Sequence, residues 1–102
     1  MKQKVLRKLF LGFIQVHVLY HAGEGPIYGS WIIEELKRHG YDISAGTLYP
    51  LLHELYKQGL LEKHDEVVKG KVRKYYILTA AGVEVLQEAR QKALELVKEL
   101  TE

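Results

Sequence analysis

The sequence predicts a mostly α-helical domain carrying one small antiparallel β-hairpin, in the order helix, helix, helix, hairpin, helix. Three observations predict it. Apolar residues recur at helical spacing through residues 4–21, 28–39 and 44–58. From Leu60 that period gives way to two strand-like runs, Leu60 to Val68 and Lys71 to Leu78, joined around Lys69 and Gly70. Helical spacing then returns from Thr79 to Leu100. This is the order of a winged helix-turn-helix followed by a C-terminal helix, which we assign to dimerisation. The division reads as residues 1–79 for the winged helix-turn-helix and 80–102 for the dimerisation helix.

Composition bounds the chemistry. A chain of 102 residues supports one domain with a modest core. Hydrophobic content of 47% and charged content of 27% place it among soluble globular proteins. Cysteine is absent, which removes disulfide, zinc-finger and thiolate-nucleophile chemistry. A cytoplasmic protein without a cofactor is the expectation. MKQKVLRK followed by LFLGFIQVHVLY has the basic and apolar regions of a signal peptide, but HAGEGPIYG after it offers no small-residue cleavage site. Gln15 and His17 interrupt the apolar run, and it is too short to span a bilayer. It reads as a buried helix, with no membrane partner.

The first helix, from Lys4 to His21, is apolar on several faces through Leu6, Leu9, Phe10, Phe13, Ile14, Val16 and Leu19. Such a helix needs cover on most sides, which so small a monomer does not supply, so a partner subunit is expected. GEGP at residues 23–26 breaks it. The second helix, Tyr28 to His39, turns Ile32, Ile33 and Leu36 inward and closes at Gly40. After YDIS, Ser44 is placed to cap the third helix, which runs to Gln58 and stops at Gly59. Leu48, Leu51, Leu52 and Leu55 form its core face. Pro50 costs little if regular helix begins near Thr47, because it then falls in the first turn. If the helix begins at Ser44, one hydrogen bond is lost and a slight irregularity is expected. On the last helix, Leu86, Ala89, Ala93, Leu96 and Leu100 alternate in steps of three and four. That seam is too short for an isolated coiled coil, so it is expected to pack on Leu6, Phe10 and Phe13 of a partner's first helix, with a core stripe within one monomer as the alternative.

A net charge of +2 does not single out a polyanionic partner, but the distribution of charge does. KGKVRK at residues 69–74 holds four basic side chains and no acid, while the stretch from Ala80 is rich in Glu. A second basic cluster is Lys2, Lys4, Arg7 and Lys8. In a helix-turn-helix the third helix enters the DNA major groove. With its leucines inward, Gly46, Thr47, Pro50, His53 and Lys57 face out, and Tyr49 adds a hydroxyl near the start. Thr47 and His53 suit base edges or phosphates, and the Ser44 end offers backbone N–H groups to a phosphate. Lys69, Lys71, Arg73 and Lys74 on a protruding wing suit phosphates or a minor-groove reach. A solvated hairpin or a plain core helix explains each feature alone. Their combination points to double-stranded DNA, bound by a symmetric homodimer on an inverted repeat with reading helices about 34 Å apart.

PIYGSWIIEELKRHGYDISAGTLYPLLHELYKQGLLE and the later GKVRKYYILTAAG resemble the PadR-like family of transcription regulators, over residues 19 to 86. The matching positions are Tyr28 and Gly29 entering the second helix, and Gly46 to Pro50 opening the third. Arg73 to Tyr76 match the second wing strand, with Leu78, Thr79 and Gly82 after it. Ala45 departs from the pattern, since proline is common there. The resemblance implies a dimeric DNA-binding regulator of the short subtype, often a repressor of a nearby operon, released by a small-molecule effector of unspecified identity. Some short members resemble multidrug-binding regulators with an aromatic-lined pore between subunits. The last helix here has no tryptophan, Trp31 being on the second, so a flat-aromatic pocket is not expected; Ala89 and Ala93 either leave a cavity or, as we favour, allow close helix packing.

Rival classes have less support. His17 and His21, four apart on the first helix, have a spacing that can share a metal ion. No carboxylate or cysteine within the segment completes a site, so they read as core or interface histidines and no metal is assigned. His39, His53 and His64 are scattered, and Ser30 and Ser44 have no evident base, which argues against an enzyme. The alternative function is a winged-helix protein-interaction adaptor without specific DNA binding.

Overall fold

Each predicted element forms. The computed structural model describes residues 1–102, with α1 (Lys2–Glu24), α2 (Gly29–Arg38), α3 (Ala45–Lys57), β1 (Leu61–Val68), β2 (Lys71–Leu78) and α4 (Ala80–Leu100). α1 is longer at both ends than expected. Lys2 and Gln3 are good helix formers, and the break takes effect only at Gly25, which is extended ahead of Pro26.

α2 and α3 end in the same way. Gly40 and Gly59 take φ of 90° and 78°, the left-handed region open to glycine. Beyond them, the N–H groups of Tyr41 and Leu60 donate to the carbonyls of Leu36 and Leu55 at 2.9 and 3.0 Å. These paired terminations set the reach of both helices of the helix-turn-helix.

α3 begins at Ala45, with the Ser44 hydroxyl accepting from the Thr47 N–H at 3.3 Å. Pro50 therefore lies inside the helix rather than in its first turn. The Gly46 carbonyl loses the N–H that a residue at position 50 would ordinarily donate, yet the helix continues unbroken to Lys57.

The core forms where the second half of α1 meets α2 and α3. Val18, Ile32, Leu36, Leu48 and Leu52 are fully buried there, with Leu61 and Tyr76 closing it from the hairpin. β1 and β2 pair antiparallel from Leu61↔Leu78 to Val68↔Lys71. Lys69 and Gly70 both have positive φ, 51° and 78°, so the turn is the two-residue type whose twist matches the strands. Ile27, in the α1–α2 link, exchanges two backbone hydrogen bonds with Tyr76, at 3.0 and 2.8 Å. That bridge fixes the wing beside the start of α2.

Thr79 organises the start of α4. Its hydroxyl donates to the Gly59 carbonyl at 2.6 Å and accepts from the Gly82 N–H at 3.0 Å. Gly82 rests on the Leu60 carbonyl and the Leu78 side chain, with no room for a Cβ. Leu86 and Ala89 are half-buried against their own chain, and every residue from Arg90 onward is exposed. The predicted seam is thus divided: its first two members are partly covered within one chain, whereas Ala93, Leu96 and Leu100 stand free with Leu94 and Val97 beside them. The first half of α1 matches this, exposing Val5, Leu6, Leu9, Phe10 and Phe13. No helix is long and apolar enough to cross a membrane.

Candidate nucleic-acid interface

Between the N-terminal turn of α2, the exposed side of α3 and the hairpin lies a concavity of about 860 Å³. α3 contributes Tyr49 and His53, and the hairpin contributes Lys63, Lys69, Lys71, Arg73 and Lys74. No Asp or Glu lines it. The ion pairs of the chain lie on α1, α2 and between His64 and Glu66, so these five cations are uncompensated at close range. Low-dielectric walls carrying one sign of charge focus a positive potential in the concavity.

The cations are held to different degrees. The Arg73 guanidinium lies 4.0 Å from the centroid of the Tyr28 ring and donates to the Tyr75 hydroxyl at 3.5 Å. Stacking of this kind orients a planar cation before any ligand arrives. Lys63 lies 4.5 Å from the centroid of the Tyr56 ring. Lys69 occupies the wing tip in a left-handed conformation that costs a non-glycine residue about 1 kcal/mol.

Tyr49 joins the two helices of the motif. Its ring covers Gly29, where an added Cβ would lie 2.5 Å from the tyrosine hydroxyl. Gly29 is therefore a close-approach position, and Tyr28 before it gives α2 no side-chain cap. The N–H groups of Gly29, Ser30 and Trp31 lack intrahelical acceptors, so the positive end of α2 borders the concavity.

Six residues singled out from sequence meet around this concavity: Tyr49, His53, Lys69, Lys71, Arg73 and Lys74. Gly46, Pro50 and Lys57 are exposed on α3 outside its lining. Ser44 and Thr47 face instead a cleft of about 460 Å³ against α1. Their hydroxyls lie 3.3 Å apart as a capping pair, and Thr47 is half-buried. A Cβ on Gly46 would meet only the Ser44 hydroxyl, at 3.8 Å, so the fold itself leaves room for a side chain there. Lys63, Tyr28 and Ser30 were not singled out from sequence for this surface. Lys63 is masked by Glu62, Asp65 and Glu66 around it; strand alternation, which sets it opposite Tyr76, is the signal that locates it.

A second cluster lies on the other side of α2. His17 and His21 are joined there by His39 at the end of α2 and by Glu35 one turn before it. Within α1 the Glu24 carboxylate lies 3.9 Å from His21 Nδ1, and the further groups arrive from α2. Burial pushes the His17 pKa below its ordinary 6.5, and the neighbouring His39 and His21 add to this while Glu35 opposes it.

The family model of the PadR-like transcriptional regulators matches residues 18–88. The chain is 41% identical to Transcriptional regulator Rv3488 of Mycobacterium tuberculosis, over 93% of this chain and 89% of that one. The crystal structure of a PadR family transcriptional regulator from Eggerthella lenta superposes with a TM-score of 0.83 at 35% identity, covering 96% of this chain and 87% of that one. A PadR-like transcription factor from Bacteroides fragilis gives 0.82 at 32% identity, covering 96% of each chain. The chain belongs to the PadR-like family of transcriptional regulators, which are DNA-binding proteins and not enzymes.

Proposed function

We propose that the protein is a cytoplasmic repressor that binds an inverted-repeat operator as a homodimer and is released by a small-molecule effector. The observation that carries DNA reading is the concavity of uncompensated cations beside the exposed side of α3. Tyr49, Pro50, His53 and Lys57 are the side chains on α3 assigned to the major groove, with His53 reading a base edge. Ser44 and Thr47 hold the amino end of α3 and present it to a phosphate. Gly46 favours this orientation: glycine costs a helix about 1 kcal/mol relative to alanine, and nothing inside the fold requires it there. Lys69, Lys71, Arg73 and Lys74 take backbone phosphates, and the uncapped amino end of α2 takes another.

Pairing is assigned to the apolar surfaces that one chain leaves open. Leu6, Phe10 and Phe13 of α1 face Ala93, Leu96 and Leu100 of the partner's α4, with Leu86 and Ala89 at the margin. Residues 80–102 then serve pairing, and residues 1–79 carry the DNA-binding unit together with the α1 surface that the partner's α4 meets; within one chain the first turns of α4 pack on α1 and on Leu78. The two α3 helices reach half-sites about one DNA turn apart, roughly 34 Å.

Binding to the DNA upstream of the protein's own coding region, against random duplex across a salt series, tests this. Specific affinity about 10³-fold above random or better, falling steeply with salt, is the expected result. Equal affinity for both duplexes would favour the adaptor reading instead.

A further inference from the structure

The cluster between α1 and α2 has the composition and spacing of a metal site. Ligand atoms of His17, His21 and His39 all lie within 4.8 Å of one another. Glu35 adds a carboxylate oxygen 3.1 Å from His39 Nε2 and 3.6 Å from His21 Nε2. An ion with tetrahedral bonds of about 2.0–2.1 Å separates its ligand atoms by about 3.3 Å. The Glu35 oxygen therefore stands within about 0.3 Å of that spacing from each of two imidazoles.

His21 gives the independent sign. Its side chain is 10% exposed, and its Nε2 has no hydrogen-bond partner. The Glu35 oxygen, at 3.6 Å, is beyond hydrogen-bond reach and is placed as a co-ligand would be. Buried polar atoms are ordinarily paired, so an orphan 3.6 Å from a carboxylate oxygen, in a cluster of three histidines, calls for an occupant. The second Glu35 oxygen accepts from Arg38 at 3.1 Å, which orients the carboxylate from outside the cluster. The Trp31 and Tyr41 rings wall the site, with centroids 5.5 Å from those of His21 and His17 respectively.

We propose that His17, His21, His39 and Glu35 bind one divalent transition-metal ion of the zinc class. Three imidazoles and a carboxylate without thiolate favour zinc and its nitrogen-preferring neighbours over magnesium or calcium. The ion ties α1 to the end of α2, directly before the turn from Gly40 to Ser44 that leads into α3. It is thus placed to set the position of the helix-turn-helix against the helix assigned to pairing.

The test uses the full, tag-free chain without DNA, so it stands apart from the operator reading. Zn²⁺ is titrated in competition with a chromophoric chelator, and Co²⁺ is added separately while visible absorption is recorded. Binding of one ion per chain and the intense bands of four-coordinate Co²⁺ are the expected results. His39→Gln and Glu35→Gln should each weaken binding about 10-fold or more, and His17→Gln with His21→Gln should abolish it. His64→Gln should change nothing. His39 is exposed at a helix end, so its variant keeps the fold even if the buried pair's does not; circular dichroism checks this. Absence of stoichiometric Zn²⁺ binding by the folded wild-type chain, or unchanged affinity in His39→Gln, would overturn the proposal.

Discussion

The hairpin and the far half of α4 both project from the core, and their surfaces are opposite in kind. The hairpin projects cations around a concavity that carries no acid. α4 projects Leu94, Leu96, Val97 and Leu100, opposite in character although equally exposed, and α1 adds Phe10 and Phe13. Water solvates the first surface readily, and a polyanion competes for it only through charge. The second surface is stable in water only when covered, because apolar contact area is what water excludes. We therefore assign the two exposed surfaces to partners of different chemistry: the wing to DNA and the helices to a second copy.

The sharpest break of this contrast is a charge on the apolar surface. Phe13→Glu should shift light-scattering mass from dimer to monomer at micromolar concentration and weaken operator binding by about 100-fold or more, through loss of the second half-site. A dimer that survives would place the pairing surface elsewhere. Next in size is the contrast between the two faces of α3. Leu52→Ala, in the core, should cost about 2–5 kcal/mol in urea unfolding. His53→Ala, one residue on and exposed, should move stability by no more than about 0.5 kcal/mol while altering base preference. An unchanged binding-site logo would remove His53 from a reading role.

Smaller effects separate the wing cations. Arg73→Ala should weaken specific and random DNA alike and lower the salt slope by about one. Its loss also frees Tyr28, so a variant that changed sequence preference would show that the stack orders the reading surface. Lys69→Gly should do two opposing things. It should relieve about 1 kcal/mol of left-handed strain and raise hairpin stability, while lowering the salt slope by about one. A loss of stability in that variant would mean that the lysine side chain itself holds the turn.

Local patterns were legible in the sequence, and juxtapositions were not. Ser44 as a cap, Gly40 and Gly59 as terminators and the Lys69–Gly70 turn follow from chemistry within a few residues of each position. The wing cations were legible because they are contiguous. The stack of Arg73 on Tyr28 joins residues far apart in sequence, and no periodicity announces it. His39 and Glu35 reach His17 and His21 for the same reason, through packing of α2 on α1. The heptad-like spacing on α4 identifies an apolar stripe assigned to a partner, but the partial cover of Leu86 and Ala89 within one chain comes from how α4 lies on α1, which spacing does not announce. The N-terminal extent of α1 is not legible in the sequence, because no side-chain cap marks that end.

Selection of binding sequences from a random duplex pool by the purified full chain tests the central proposal most directly. The selected sequences should converge on an inverted repeat whose half-site centres lie about 10–10.5 base pairs apart. A pool that returns no common sequence, or a single half-site bound by a monomer, would contradict it.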